Sequence, residues 1–243
     1  MDTTVLVENF CSHDKVAPQY LPVIEAAIAK YRAVFGDAVL NIRLMGSVAR
    51  GEVTPHSDID FIALLGISPT EQQLQNLAHS ESVLQRDFPF LAKVDMEAIT
   101  VDDVHEFRRF VFISDSLSLY GADLYPAQTQ SFDRELLADM ITPDLEDIVQ
   151  SYRAAIMRIA EHDEKKLRGY SRLTGKDVLK CYRRVALLSG GDFERNIDKI
   201  YEQLLHYLPE QRVLLGELHR LYTRPLADGQ KLLDVLNSIT AVT

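Results

Sequence analysis

Met45-Gly46-Ser47-Val48-Ala49-Arg50-Gly51 and, after Glu52 to His56, Ser57-Asp58-Ile59-Asp60-Phe61 form the stretch that decides how this chain is read. It joins two apolar runs of strand length, Val39 to Met45 and Asp58 to Leu65, the second closed by Gly66. The chain must turn sharply where the first run ends. Gly46 lets backbone N–H groups approach an anionic oxygen with no side chain between, and Ser47 adds a hydroxyl donor. Strand alternation in the second run points Asp58 and Asp60 to one face and Ile59 into the core behind them. Two hard carboxylate ligands side by side suit Mg2+, with Mn2+ as the alternative, because such an ion binds carboxylates together with substrate phosphates.

Working outward, residues 18 to 35 carry Leu21, Ile24, Ile28 and Tyr31 at helical spacing, and Gly36-Asp37 ends them. Ser68-Pro69-Thr70-Glu71 reads as a helix start with Pro69 near its first position, the helix running to about Asp87. A third strand is predicted from Ala92 to Ile99. It holds Val94-Asp95-Met96-Glu97, and either acid could join the first pair, as a further metal ligand or as acceptor of a nucleophile's proton. Asp102 to Phe110 reads as helix, and Ser116 to Tyr120, ending at Gly121, as a short edge strand.

After Pro126 the pattern is helix after helix, predicted at 132–141, 144–167, 176–189, 192–207, 209–222 and 226–239 with no strand. Pro143, Gly175, Gly190-Gly191, Pro209 and Pro225 supply the breaks. The polar stretch Tyr125 to Gln130 marks the boundary. The expectation is an α+β protein: a mixed β-sheet domain flanked by helices over residues 1–125, then an all-α helical bundle over 126–243.

Composition narrows the function. The net charge of -10 disfavours general binding to duplex nucleic acid, which needs a basic surface. The charge is uneven: residues 1–125 hold 18 acids and 9 bases, whereas 126–243 hold 18 acids and 17 bases. Cys11 and Cys181 lack metal-type spacing and read as packing residues, and no two of the seven histidines stand at the i, i+4 spacing of a helical zinc site. With no basic leader and no membrane-length apolar run, the chain reads as cytoplasmic. His56 reads as a surface-loop histidine, and the Leu and Tyr stripe of 201–222 as packing.

The turn, the paired acids and the third acidic strand together resemble the DNA polymerase β-like nucleotidyltransferase superfamily. The fuller string Gly-Ser-Val-Ala-Arg-Gly with Ser-Asp-Ile-Asp-Phe is similar to the branch of minimal nucleotidyltransferases and aminoglycoside adenylyltransferases. The resemblance covers roughly residues 38–99. It implies a mixed sheet and transfer of a nucleoside monophosphate from a triphosphate, foremost AMP from ATP, with release of pyrophosphate. By position it implies that Gly46 and Ser47 hold triphosphate oxygens, that Arg50 lies near phosphates, and that Asp58, Asp60 and Asp95 hold metal, Glu97 being the alternative third acid.

In the second half, eight bases and one acid lie between Lys165 and Arg184, and Lys176, Lys180, Arg183 and Arg184 recur at spacings that let three or four share a helix face. The stretch is similar to the helical domain of bacterial small-molecule nucleotidyltransferases, which implies that Lys180 and Arg184 bind the nucleotide. The expected acceptor is the hydroxyl of a small molecule, such as one of aminoglycoside type, drawn to an acidic domain. The alternatives are a regulator that nucleotidylates a partner protein, of the minimal-nucleotidyltransferase antitoxin type, and a nucleotide-binding protein without catalysis. Arg158 to His162 is too tightly spaced for the ribonuclease motif of the toxins paired with such regulators.

Overall fold

The computed structural model describes residues 3–54, 57–159 and 163–239; His56 and His162 lie outside them. Its elements are β1 (Thr4–Val7), α1 (Leu21–Phe35), β2 (Val39–Met45), α2 (Gly46–Arg50), β3 (Ile59–Leu65), α3 (Glu71–Asp87), β4 (Val94–Thr100), α4 (Glu106–Ser114) and β5 (Ser116–Gly121). There follow β6 (Gln130–Asp133), α5 (Arg134–Ile141), α6 (Leu145–Arg158), α7 (Glu164–Leu188), α8 (Ile197–Tyr207), α9 (Arg212–Thr223) and α10 (Gly229–Ser238). The chain divides into two compact units, Val7–Gln130 and Met1–Leu6 with Ser131–Thr243.

The first unit is built on a four-stranded sheet of order β4-β3-β2-β5. β3 runs parallel to β4 and antiparallel to β2, and β2 runs antiparallel to β5, so the sheet is mixed as expected, with β5 at its edge. Ile59, Phe61, Ala63 and Leu65 of β3 alternate into a core with Val23, Ala27, Tyr31 and Phe35 of α1 and with Leu77 and Leu84 of α3. On the opposite face Ile62 and Leu64 pack with Phe112 of α4. β3 is therefore apolar on both faces except at Asp60, and the site is confined to one end of the second face.

Arg43 of β2, opposite Ile62, is buried on that second face. Its guanidinium donates to Ser116 Oγ (2.7 Å), Asn41 Oδ1 (3.1 Å), Asp123 Oδ1 (2.5 Å) and the carbonyls of Phe112 and Tyr125 (both 3.1 Å). These bonds compensate its burial and fasten β2 to β5 and α4. The start of α3 differs slightly from expectation. Thr70 is the N-cap and forms a capping box with Gln73, which leaves Pro69 outside the helix.

In the second unit β6 pairs with β1, a strand in the half where none was expected. The helix boundaries also correct the reading of 144–167 and 176–189. α6 ends at Arg158, Asp163 caps α7 by accepting from the Lys166 N–H, and α7 runs through Gly175 to Leu188. Gly175 is a packing glycine and breaks nothing: a Cβ there would stand 2.3 Å from the Leu218 carbonyl oxygen and 2.7 Å from the Tyr222 nitrogen of α9. The later helices start downstream of their predicted positions because Asn196 and Asp228 cap α8 and α10. Val178, Leu179, Tyr182, Leu204, Leu215, Leu218 and Leu232 fill the helical core.

Two alanine substitutions in α7 separate packing from helix propensity. At exposed Gly169 an added Cβ meets nothing within 4 Å, so Gly169→Ala is expected to stabilise the protein by about 0.5–1 kcal/mol. Gly175→Ala gains the same propensity but forces α7 from the backbone of α9, for a net loss of about 1–3 kcal/mol. Urea denaturation midpoints measure both, and a loss at Gly169 or a gain at Gly175 would contradict this packing.

Candidate active site

The turn after β2 is made by α2. Gly46 has φ 75°, the left-handed region that a side chain disfavours, and a Cβ there would lie 2.5 Å from Asp60 Oδ2. Glycine is thus required twice, by its backbone angle and by the carboxylate packed against it. Met45, the residue before it, is the register partner of Asp60 across β2 and β3.

Asp58 stands one residue ahead of β3 and follows Ser57, whose N–H donates to the Thr54 carbonyl and whose Oγ accepts from the Thr54 N–H, both at 2.9 Å. Asp60 lies beside Asp95 in the parallel pairing of β3 and β4, and the Ile59 N–H donates to the Lys93 carbonyl at 3.0 Å where the two strands begin. The result is convergence. One carboxylate oxygen from each of Asp58, Asp60 and Asp95 lies within 4.8 Å of the others. Asp58 is exposed and the other two are half-buried, which leaves room for substrate oxygens beside them. Three hard anionic donors with an open side fit a Mg2+-type ion, which keeps waters and takes phosphate oxygens as further ligands.

Glu97, two residues along β4, has another partner. Its oxygens accept two hydrogen bonds from Arg108 of α4, each 2.6 Å, a bidentate pair that matches its charge. The geometry therefore brings Asp95 to the pair and turns Glu97 away. Lys93 was not singled out in the sequence, although it shares the strand parity of Asp95. It pairs with Asp95, and the hydrogen bond to Asp95, assisted by the charges of Asp95, Glu81 and Asp58, holds its ammonium pKa above the ordinary lysine value.

Arg50, at the end of α2, is bound within the unit: Nε donates to Glu52 (2.9 Å) and Nη1 to the buried Asp115 (2.6 Å). Burial opposes its charge, and these two carboxylates outweigh that and raise its pKa. It therefore braces α2 against the start of β5.

In the helical unit the basic stretch does not present one face. Arg183 turns inward, lies over the Phe193 ring and donates to the Glu194 carbonyl at 2.8 Å. Arg184 pairs with Asp139. Lys180 has Asp177 at 3.9 Å; burial and the neighbouring Lys176 push its ammonium down to about 8. Both cysteines are free and buried, and burial lifts the Cys181 thiol to about 12, well away from thiolate chemistry.

A glycine turn beside three converging carboxylates is an arrangement that could hold a divalent ion together with phosphate oxygens. Residues 28–115 match the family described as "Nucleotidyltransferase domain". Among solved structures it is similar to spectinomycin adenyltransferase AAD(9) from Enterococcus faecialis, determined with ATP and spectinomycin, at 11% identity and a TM-score of 0.54. That alignment covers 89% of this chain and 99% of the other, so the likeness in fold extends into the helical region. A search of curated proteins finds no match. Among the described residues no helix is long and apolar enough to cross a membrane.

Proposed function

We propose that this enzyme transfers a nucleoside monophosphate, foremost AMP from ATP, to a hydroxyl of a small cationic acceptor of aminoglycoside type. The convergence of Asp58, Asp60 and Asp95 within 4.8 Å is the observation that carries this reading. The acceptor oxygen forms a bond to the α-phosphorus, the bond from that phosphorus to the bridging oxygen breaks, and pyrophosphate leaves with the bonding electrons. Asp58, Asp60 and Asp95 would hold the divalent ion, which neutralises phosphate charge and polarises the α-phosphoryl group. Asp95 accepts the hydroxyl proton. Gly46 and Ser47 hold triphosphate oxygens, with Arg50 fixing the turn that carries them. The acidity of residues 1–125 supports a cationic acceptor, as does the fold shared with a spectinomycin-modifying enzyme.

Incubation with each labelled NTP, Mg2+, a panel of aminoglycosides and other alcohols, and cell lysate tests the proposal. Label on a small molecule supports it. Label on a lysate protein would replace it with a protein-modifying regulator, and no label on either would leave a nucleotide-binding protein.

Lys180 and Arg184 enter the proposal as further cationic contacts of the triphosphate, on the strength of their charge. With its pKa near 8, Lys180 loses its charge between pH 7 and pH 9. The KM for ATP is then expected to rise about tenfold across that interval, the worth of one charge-assisted hydrogen bond. Lys180→Met should start at the high KM and lose this pH dependence. An unchanged profile in the variant would remove Lys180 from the site.

A further inference from the structure

β4 is an edge strand, and its outward N–H groups alternate with those that pair to β3. Those of Val94 and Met96 are satisfied by two side chains of α3. Val94 N–H donates to Gln85 Oε1 at 2.8 Å, and Met96 N–H donates to Glu81 Oε2 at 3.1 Å. The same Gln85 amide donates through Nε2 to the Leu91 carbonyl at 2.9 Å, just before the strand begins. The spacing has a simple geometric origin. Four helical residues rise about 6 Å, close to the roughly 6.6 Å spanned by two strand residues. Acceptors at i and i+4 on a helix can therefore meet alternate amides of an adjacent strand running the opposite way.

We propose that Glu81 and Gln85 are positioning residues: a side-chain ladder on α3 that fixes the register of β4 and so holds Asp95 opposite Asp60. The inference rests on the functional reading given above for Asp95. A one-residue slip of β4 would turn Asp95 toward the core and bring Val94 or Met96 to the metal site, so a free edge is a hazard at this strand. Burial of Val94 and Met96 on the core face already opposes such a slip, and the two hydrogen bonds from α3 add to that specification. Tyr31 of α1 holds the same two strands from the core side, its hydroxyl lying 3.1 Å from the Phe61 carbonyl and 2.9 Å from that of Glu97.

The test compares Glu81→Gln, which keeps an acceptor oxygen, with Glu81→Met/Gln85→Met, which removes both acceptors at similar side-chain length. Three readouts are taken: hydrogen exchange of the Val94 and Met96 amides, Mn2+ affinity without nucleotide, and kcat and KM for ATP. The double variant should exchange both amides faster, bind Mn2+ about tenfold more weakly and lose about tenfold in kcat, with KM little changed. Glu81→Gln should retain wild-type values. Faster exchange with unchanged Mn2+ affinity and kcat would overturn the proposal, and so would unchanged exchange. If the double variant does not fold, Glu81→Met against Glu81→Gln gives the same comparison at the Met96 amide. Wild-type protein that bound no Mn2+ would sink the functional reading itself, while the exchange data would still report whether α3 holds β4.

Discussion

Asp60→Asn is expected to lower kcat for NMP transfer roughly a thousandfold, a loss of about 4 kcal/mol of transition-state stabilisation. Asp60 sits at the centre of the cluster, beside Asp95 across the parallel strands and against Gly46 of the turn. Replacing one carboxylate oxygen by an amide removes a charge from the ion's ligand set and leaves the side-chain volume nearly unchanged. The loss should therefore appear in Mn2+ affinity as well as in kcat, and additional metal should recover part of the activity. Asp58→Asn should behave similarly and leave the thermal midpoint unchanged, since Asp58 is exposed and precedes the strand. Wild-type kcat in either variant would remove that residue from the site.

The second large effect is expected at Gly46. Gly46→Ala places a methyl group where Asp60 Oδ2 already lies, 2.5 Å away, at a φ of 75°. The backbone angle alone costs about 1–2 kcal/mol of stability. The clash must move either the turn or the carboxylate, and a displacement near 1 Å at reacting groups lowers the rate by about a hundredfold. Gly36→Ala provides the control. Gly36 also has a positive φ, 56°, but no atom lies within 4 Å of a Cβ built there. It should lose comparable stability and keep wild-type kcat. If both variants lost stability and neither lost activity, the contact between turn and carboxylate would have no part in catalysis.

These two sites were legible in the sequence because their determinants are local. A glycine after a strand, a short spacer and two acids separated by one residue fix a turn and a shared face without tertiary information. The third carboxylate was not legible in the same way. Asp95 and Glu97 have the same parity on one strand, and what separates them comes from elsewhere: the parallel register beside Asp60 and the arrival of Arg108 from α4.

Gly175 shows the converse limit. Locally a glycine signals a break, yet its reason for being glycine is the backbone of α9, contributed by residues more than 40 positions away. β1 and β6 escaped notice for a related reason. Each is four residues long and is defined by a partner more than a hundred residues distant in the chain. The basic stretch of α7 was visible as charge, but the inward turn of Arg183 depends on Phe193, and the pairing of Arg184 on Asp139. Arg50 was legible as part of the Gly-Ser turn segment, whereas its partner Asp115 was not, because nothing in the local pattern links α2 to the start of β5.

If Asp58, Asp60 and Asp95 direct attack at the α-phosphorus, the fate of the individual phosphates reveals it. ATP labelled at either the α- or the γ-phosphorus should be incubated with the enzyme, Mg2+ and the acceptor found in the panel. The α-label is expected to move to the acceptor and the γ-label to appear only in pyrophosphate, with both outcomes lost in Asp60→Asn. Label from the γ-position on the acceptor, or α-label retained in ADP, would contradict it.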